Sequence, residues 1–156
     1  MEPADVAGEF REYSLAYYDG SRRRVLVTDI ETPFPEGKLI VSRTDVAGVI
    51  TNCNQSFVEM SGFSEAELIG QPHWILRHPD MPAAAFKDLW DTVTRGTKWH
   101  GYVKNLRKDG GFYWVYATVV ANVRDGIIVG YTSVRRKPSR TKVREAEALY
   151  RTMNQG

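Results

Sequence analysis

Three strand signals in the second half of the chain constrain the fold more than any other feature. Trp99 to Leu106, Phe112 to Val123 and Ile127 to Arg135 are long runs rich in β-branched and aromatic residues. Lys108-Asp109-Gly110-Gly111 and Arg124-Asp125-Gly126 separate them. Asp-Gly pairs suit tight hairpin turns, so the three runs read as an antiparallel meander. An antiparallel sheet must bury one face, and the rest of the chain has to cover it.

The first half supplies two more strands and the cover. Leu39-Ile40-Val41 and Val49-Ile50-Thr51 are strand signals flanking a turn from Asp45 to Gly48. Asn54 reads as the N-cap of a helix that turns Phe57, Val58 and Met60 inward, and Gly62 ends it. Ser64 with Glu67 three residues on is a capping box for a second short helix, closed by Gly70 and Pro72. Pro82 fits the first turn of a longer helix, in which Phe86, Leu89, Trp90 and Val93 make one apolar face before Gly96. The expected fold is α+β: a five-stranded antiparallel sheet with short helices over one face and a cavity between the two.

The ends are less regular. Residues 1–37 read as an irregular extension, with Asp19-Gly20-Ser21, Pro33 and Pro35 as turn markers and Val25-Leu26-Val27 as a short strand. This arm wraps the domain or pairs with another chain. Residues 138–156 hold an exposed helix from Thr141 to Met153 with Val143, Leu149 and Tyr150 as sparse apolar contacts. Residues 38–137 between them form the domain proper.

Composition narrows the function. The net charge of +2 and the clusters Arg22-Arg23-Arg24 and Arg135-Arg136-Lys137 read as solvated surface, and no nucleic-acid motif accompanies them. The single cysteine, Cys53, rules out an internal disulfide and a zinc–thiolate cluster. No apolar run approaches the roughly 18 residues of a membrane helix, and MEPADVAGEF has no signal-peptide core. A cytoplasmic protein with no direct membrane insertion is expected.

One segment concentrates chemistry. Gln71 to Phe86, QPHWILRHPDMPAAAF, carries two of the three histidines with Arg77, Asp80 and three prolines just before a helix. A pocket lined by it would suit an anionic, redox-active or planar ligand.

NCNQSFVEMSGFSEAELIGQP followed by NLRKDGGFYWVYATVVANVRDGIIVGYTSVRR resembles the PAS domain, in its N-x-x-F…E-L-x-G stretch and its R-K-D-G…W-V hairpin. TDVAGVITNCNQSF, QPHWILRHPDMPAAAFKDLW and KWHGYVKNLRKDG further resemble the N-terminal sensory domain of the aerotaxis receptor family. That resemblance implies a PAS fold binding FAD non-covalently and reporting its redox state to the chemotaxis machinery. Unlike those receptors, the chain shows no membrane segment, linker domain or signalling coiled coil. Output is therefore expected through a separate signalling or chemoreceptor protein, or through a longer chain of which this is the sensor, with homodimerisation through the flanking segments.

The resemblance also suggests roles for named residues. Arg77 and His78 offer a cation and a donor for pyrophosphate or ribityl oxygens. Asp80 either fixes their grip or caps the following helix. Trp99 matches a flavin-contacting tryptophan of the family, while Trp90 is a weaker candidate and as readily core. Phe86 lies near the loop. Asn105 stands mid-strand, where an inward amide can donate to or accept from a flavin's N5, although alternation leaves its face open. Asn54 is an N-cap or a ligand contact, and His73 a ligand contact or a structural residue. Cys53 lies outside the G-x-N-C-R-F-L-Q setting of light-sensing flavin domains, so no covalent adduct is expected. The rivals are a haem gas sensor using His78 or His73, a ligand-free dimerisation module, and an enzyme using His78 and Asp80 as an acid–base pair. No nucleophile accompanies that pair, so the chain reads as a non-enzyme.

Overall fold

The structure, a computed structural model, describes residues 2–16 and 21–155. The turn markers Asp19 and Gly20 lie outside the described residues. Strands β3 (Ile40–Thr44), β4 (Ile50–Cys53), β5 (Trp99–Leu106), β6 (Phe112–Arg124) and β7 (Ile127–Arg136) form one antiparallel sheet in the order β4-β3-β7-β6-β5. The β6–β7 turn is built as its residues require: Asp125 and Gly126 both take positive φ, 53° and 77°.

The cover is α1 (Gln55–Ser61), α2 (Glu65–Leu68), a 3-10 turn over His73–Leu76, and α3 (Ala83–Val93). Asn54 caps α1 by accepting from Phe57 N–H, and Ser64 and Glu67 close the capping box of α2. Helices this short are not stable alone. They are held by Phe57, Met60, Leu68 and Leu76, which join Ile40, Ile50, Tyr113, Val115 and Trp99 in one core. Each fully buried side chain of this size contributes about 1.5–3 kcal/mol. The space expected between helices and sheet is thus filled by side chains.

Both ends depart from the sequence reading. The N-terminal arm is not irregular: β1 (Arg11–Ala16) and β2 (Arg22–Val27) pair as an antiparallel hairpin. Val25 and Val27 are buried against Leu106, which is why an arginine-rich strand still docks. Past the hairpin, Ile30 and Thr32 exchange backbone bonds with Phe112, beside the start of β6 that β7 does not reach. The arm wraps its own domain. Helix α4 (Arg140–Gln155) is not wholly exposed either, because Val143 and Ala146 pack on Trp114 on the open face of the sheet.

Candidate functional site

Register decides which side chains meet. Opposed residues share a face of a sheet, and the pairs Trp99–Val119, Gly101–Ala117, Val103–Val115 and Asn105–Tyr113 run along the helix-covered face with the core. Asn105 therefore points inward and is buried. The same face receives Tyr131, Ser133 and Arg135 of β7 and Ile40 and Ser42 of β3. Its middle is floored by small residues. Gly101 and Ala117 stand in the row of Arg135, and the Trp99 indole lies so close over Gly101 that a Cβ there would collide with it. The indole N–H donates to Asp88 on α3 at 2.9 Å.

Arg135 is the surprise of this face. The Arg135-Arg136-Lys137 cluster reads as solvated, yet Arg135 is 2% exposed. Its guanidinium donates to Ser42 Oγ at 2.5 Å and His73 Nε2 at 3.2 Å, and stands 4.6 Å from the Phe57 ring centre. Burial pulls its pKa down to about 10. Burial, followed by the charge of Arg135, pushes the His73 imidazole down to about 3, so His73 is neutral and accepts through Nε2.

The RHPD loop divides at the sheet edge. The Arg77 backbone bridges Asn105 on the edge strand β5, so Arg77 shares the inward side, and its guanidinium lies 5.2 Å from the Phe86 ring centre. His78 falls on the opposite side, edge-on to Phe112. The loop therefore does not present Arg77 and His78 side by side. Nor does Asp80 cap α3: Pro82 holds the N-cap with no side-chain bond. The Asp80 carboxylate instead takes Lys104 Nζ at 2.7 Å, while its N–H donates to His78 Nδ1 at 3.0 Å. That bond leaves the neutral imidazole's proton on Nε2.

Electrostatics agree. Burial first, then the charge of Lys104, lowers His78 to about 3. Burial alone would raise the Asp80 carboxyl, but the Lys104 hydrogen bond and the neighbouring positive charges outweigh it, and the pKa falls. Lys104 also sits over the Phe112 ring at 4.2 Å. Lys104 gave no signal in the sequence because its partner lies 24 residues away.

Of the remaining candidates, Asn54 is committed to the scaffold, accepting from Val41 and Phe57 and donating to Leu39. Trp90 packs edge-on to Tyr131 at 5.3 Å, as core. The structure thus brings Trp99, Asn105, His73 and Arg77 to the inward side. It leaves His78 and Asp80 on the other side, His78 buried and Asp80 lining a groove of about 440 Å³ with Lys104, Phe112, Trp114 and Tyr150. Among the described residues, no group of three or more His, Cys, Asp or Glu side chains could hold a metal ion. No described helix is long and apolar enough to cross a membrane.

The sheet, in the order β4-β3-β7-β6-β5, thus carries the short helices on one face and α4 on the other. Residues 50–135 match the PAS fold family, and the chain belongs to it. It is 45% identical over 130 residues, 83% of its own length, to the aerotaxis receptor of Escherichia coli K12. It is also 30% identical over 84 residues to a nitrogen fixation regulatory protein of Klebsiella pneumoniae, a match covering 54% of this chain. These matches cover 26% and 17% of the two relatives. Among solved structures, the dark-state light-oxygen-voltage domain of the photoreceptor Aureochrome1 aligns with a TM-score of 0.64 at 22% identity, over 70% of this chain and 83% of that one. A light-oxygen-voltage domain studied with a flavin analogue aligns at 0.60 and 23%, over 75% and 86%. At these identities the structural likeness establishes the fold.

Proposed function

We propose that this chain is a cytoplasmic PAS sensor that binds FAD non-covalently, performs no turnover of its own, and reports redox or energy state to a separate signalling or chemoreceptor protein. Residues 38–137 are the sensory domain, 1–37 its cap and 138–156 its output segment, with homodimerisation through the flanks. The likeness to the aerotaxis receptor points to the input, and the likeness to a light-oxygen-voltage domain studied with a flavin analogue supports a flavin as ligand. The observation that carries the reading is a set of buried donors on the helix-covered face that lack acceptors. The Tyr113 hydroxyl and Arg135 Nε have no hydrogen-bond partner, and the Asn105 amide shares their face. Buried polar groups are almost always satisfied, so such donors fit a planar ligand rich in carbonyl and ring-nitrogen acceptors.

Bound FAD would supply reversible electron uptake with protonation at N5. The chain's residues would do the rest. The Asn105 amide can donate or accept by turning over, so it reads whether its partner is an acceptor or a donor. Arg77 at the edge offers a fixed cation to phosphate or ribityl oxygens. Trp99, Trp90, Phe86 and His73 shape the inner surface, and Asn54, His78 and Asp80 hold the scaffold and loop around it. The output route is physical: Asn105 is bridged to Arg77, and Asp80 in the same loop contacts α4. One exchanged hydrogen bond is worth about 1 kcal/mol. It can bias only a nearly balanced partner interface, by roughly fivefold.

Haem fits less well. His78 carries its proton on Nε2 and His73 accepts through Nε2, so neither turns a free lone pair toward an iron. The test is the visible spectrum of the purified protein before and after dithionite. Flavin bands that bleach, and are lost or weakened in Arg77→Ala and Trp99→Ala, are expected. A Soret band, or folded protein that yields no flavin on denaturation, overturns the reading.

A further inference from the structure

We propose that the Trp99 indole is a door to the helix-covered face, latched by Asp88, and that a ring-bearing ligand enters when the indole swings into the groove beside it. The proposal deepens the flavin reading, from which it takes the ligand. As it stands the face is shut: Arg135 is 2% exposed, Tyr113 is fully buried, and the Trp99 indole covers Gly101. The Tyr113 hydroxyl and Arg135 Nε behind it have no hydrogen-bond partner among the described residues. A ligand can meet them only past a wall that moves.

Trp99 is the part of that wall with two places to stand. Its closed place is built for it. Gly101, two residues on along β5 and so on the same face, lacks the Cβ that would collide with the indole, and Asp88 takes the indole N–H at 2.9 Å. The open place lies outside. Around the edge strand β5, between α3 and α4, runs a groove of about 600 Å³ lined by Ala84, Ala85, Asp88, Gly101 and Trp99 itself. The two alanines leave it wide enough for a displaced indole. Phe57 and Leu76, elsewhere in the cover, belong to the core and do not border this groove, whereas Trp99 borders both. Side chains hop between staggered rotamers, so closed and open are discrete states. With the indole withdrawn, the floor it uncovers runs from Gly101 through Ala117 to Arg135 in one row. The latch is a hydrogen bond to an exposed carboxylate, so the closed state is only modestly favoured, and a ligand that fits the open state alone shifts the balance. Asp88 is a positioning residue: it touches no ligand and acts through Trp99.

Stopped-flow mixing of FAD with the ligand-free protein tests the door. The observed binding rate of the wild type should level off as FAD is raised, at the rate with which the indole opens. Asp88→Ala removes the latch and should raise that ceiling roughly fivefold, the worth of one partly solvated hydrogen bond. Asp88→Asn keeps an acceptor oxygen and should raise it less. A merely structural Asp88 would change the melting temperature and leave the ceiling where it is. An unchanged ceiling in Asp88→Ala, or wild-type rates that stay proportional to FAD throughout, overturns the door and leaves the flavin reading intact. If Asp88→Ala fails to fold, an unchanged ceiling in Trp99→Phe, which loses the N–H and part of the ring, overturns it. Hydrogen exchange of the Trp99 indole N–H, assigned by its loss in Trp99→Phe, reads the latch without any flavin. It should quicken roughly fivefold in Asp88→Ala, and unchanged exchange overturns the latch. Wild-type protein that binds no FAD removes the flavin reading and leaves this exchange to decide the latch.

Discussion

The side-chain amide of Asn154 donates to the carbonyl oxygen of Asp80 at 2.7 Å, tying the last turn of α4 to the loop that carries Arg77 and His78. Tyr150 adds a second tie, donating from its hydroxyl to the carbonyl of Tyr102 at 2.6 Å. Ahead of them the helix buries only Val143 and Ala146, and Leu149 is exposed. Arg140 adds a two-pronged pair with Glu31 at the other end, and the Tyr150 ring stacks on Trp114; with little else buried, the last turn of α4 is where a bias of about 1 kcal/mol changes how often it opens.

Combining Asn154→Ala with Tyr150→Phe should release α4 without disturbing the sheet. Each lost bond costs about 1 kcal/mol or less, since both are partly solvated. Hydrogen exchange should quicken over residues 140–155 and stay unchanged in β5 to β7. Unchanged exchange in α4 would rule out these bonds as its anchor.

The Asp80–Lys104 pair is asymmetric, because the Lys104 side chain is 10% exposed and that of Asp80 63%. Asp80→Asn strands a buried ammonium and should cost about 1–2 kcal/mol. Lys104→Met leaves a carboxylate that water can solvate and should cost less than about 1 kcal/mol. Urea melts at neutral pH read the difference. The Asp80 carboxyl is lowered on folding, so its stabilisation is present above the ordinary carboxylate pKa and is lost as pH falls through the folded value. Asp80→Asn should lose that part of the acid transition.

His73 and His78 set a second pH dependence. Both are lowered from 6.5 to about 3 in the fold. Between those values the unfolded chain binds protons that the folded chain does not, so stability rises with pH across the window and falls as pH drops below 6.5. Each histidine should contribute about 1–2 kcal/mol of loss between pH 7 and 5. His73→Gln and His78→Gln should each flatten that slope, and imidazole NMR signals should show neither ring protonating above pH 5. A titration near 6.5 at either ring would contradict its burial.

Gly101 is needed for space rather than for backbone freedom. Gly101→Ala would drive a methyl into the Trp99 indole and should cost about 1–3 kcal/mol. Trp99→Phe in the same chain should recover part of it. Thermal melts and Trp fluorescence check both, and a neutral Gly101→Ala would mean that the indole is not held over the strand.

Much of the fold was legible because its signals are local. The Asp-Gly turn at Asp125-Gly126, the capping box from Ser64 to Glu67, the Asn54 cap and the Gly62 stop each act within a few residues, and each appears where its residues stand. The hairpin in the N-terminal arm was only half legible. Val25-Leu26-Val27 signals a strand, but Arg11–Ala16 offers only Tyr13 and Leu15 in alternation, a pattern too short to read alone, and pairs with it as a strand.

The site was legible in parts only. The chain's own order was enough to single out the RHPDMP loop and Asn105, because a histidine-rich turn before a helix and an asparagine inside a strand are both locally costly. It could not say that Arg77 and His78 fall on opposite sides of the edge strand, since a one-residue step reverses the side and only the Arg77–Asn105 bridge sets the phase. Nor could it separate Arg135 from its solvated neighbours Arg136 and Lys137. Charge runs look alike in a sequence. Strand register turns one arginine of the three into the core, and tertiary packing alone leaves it there without a counter-charge.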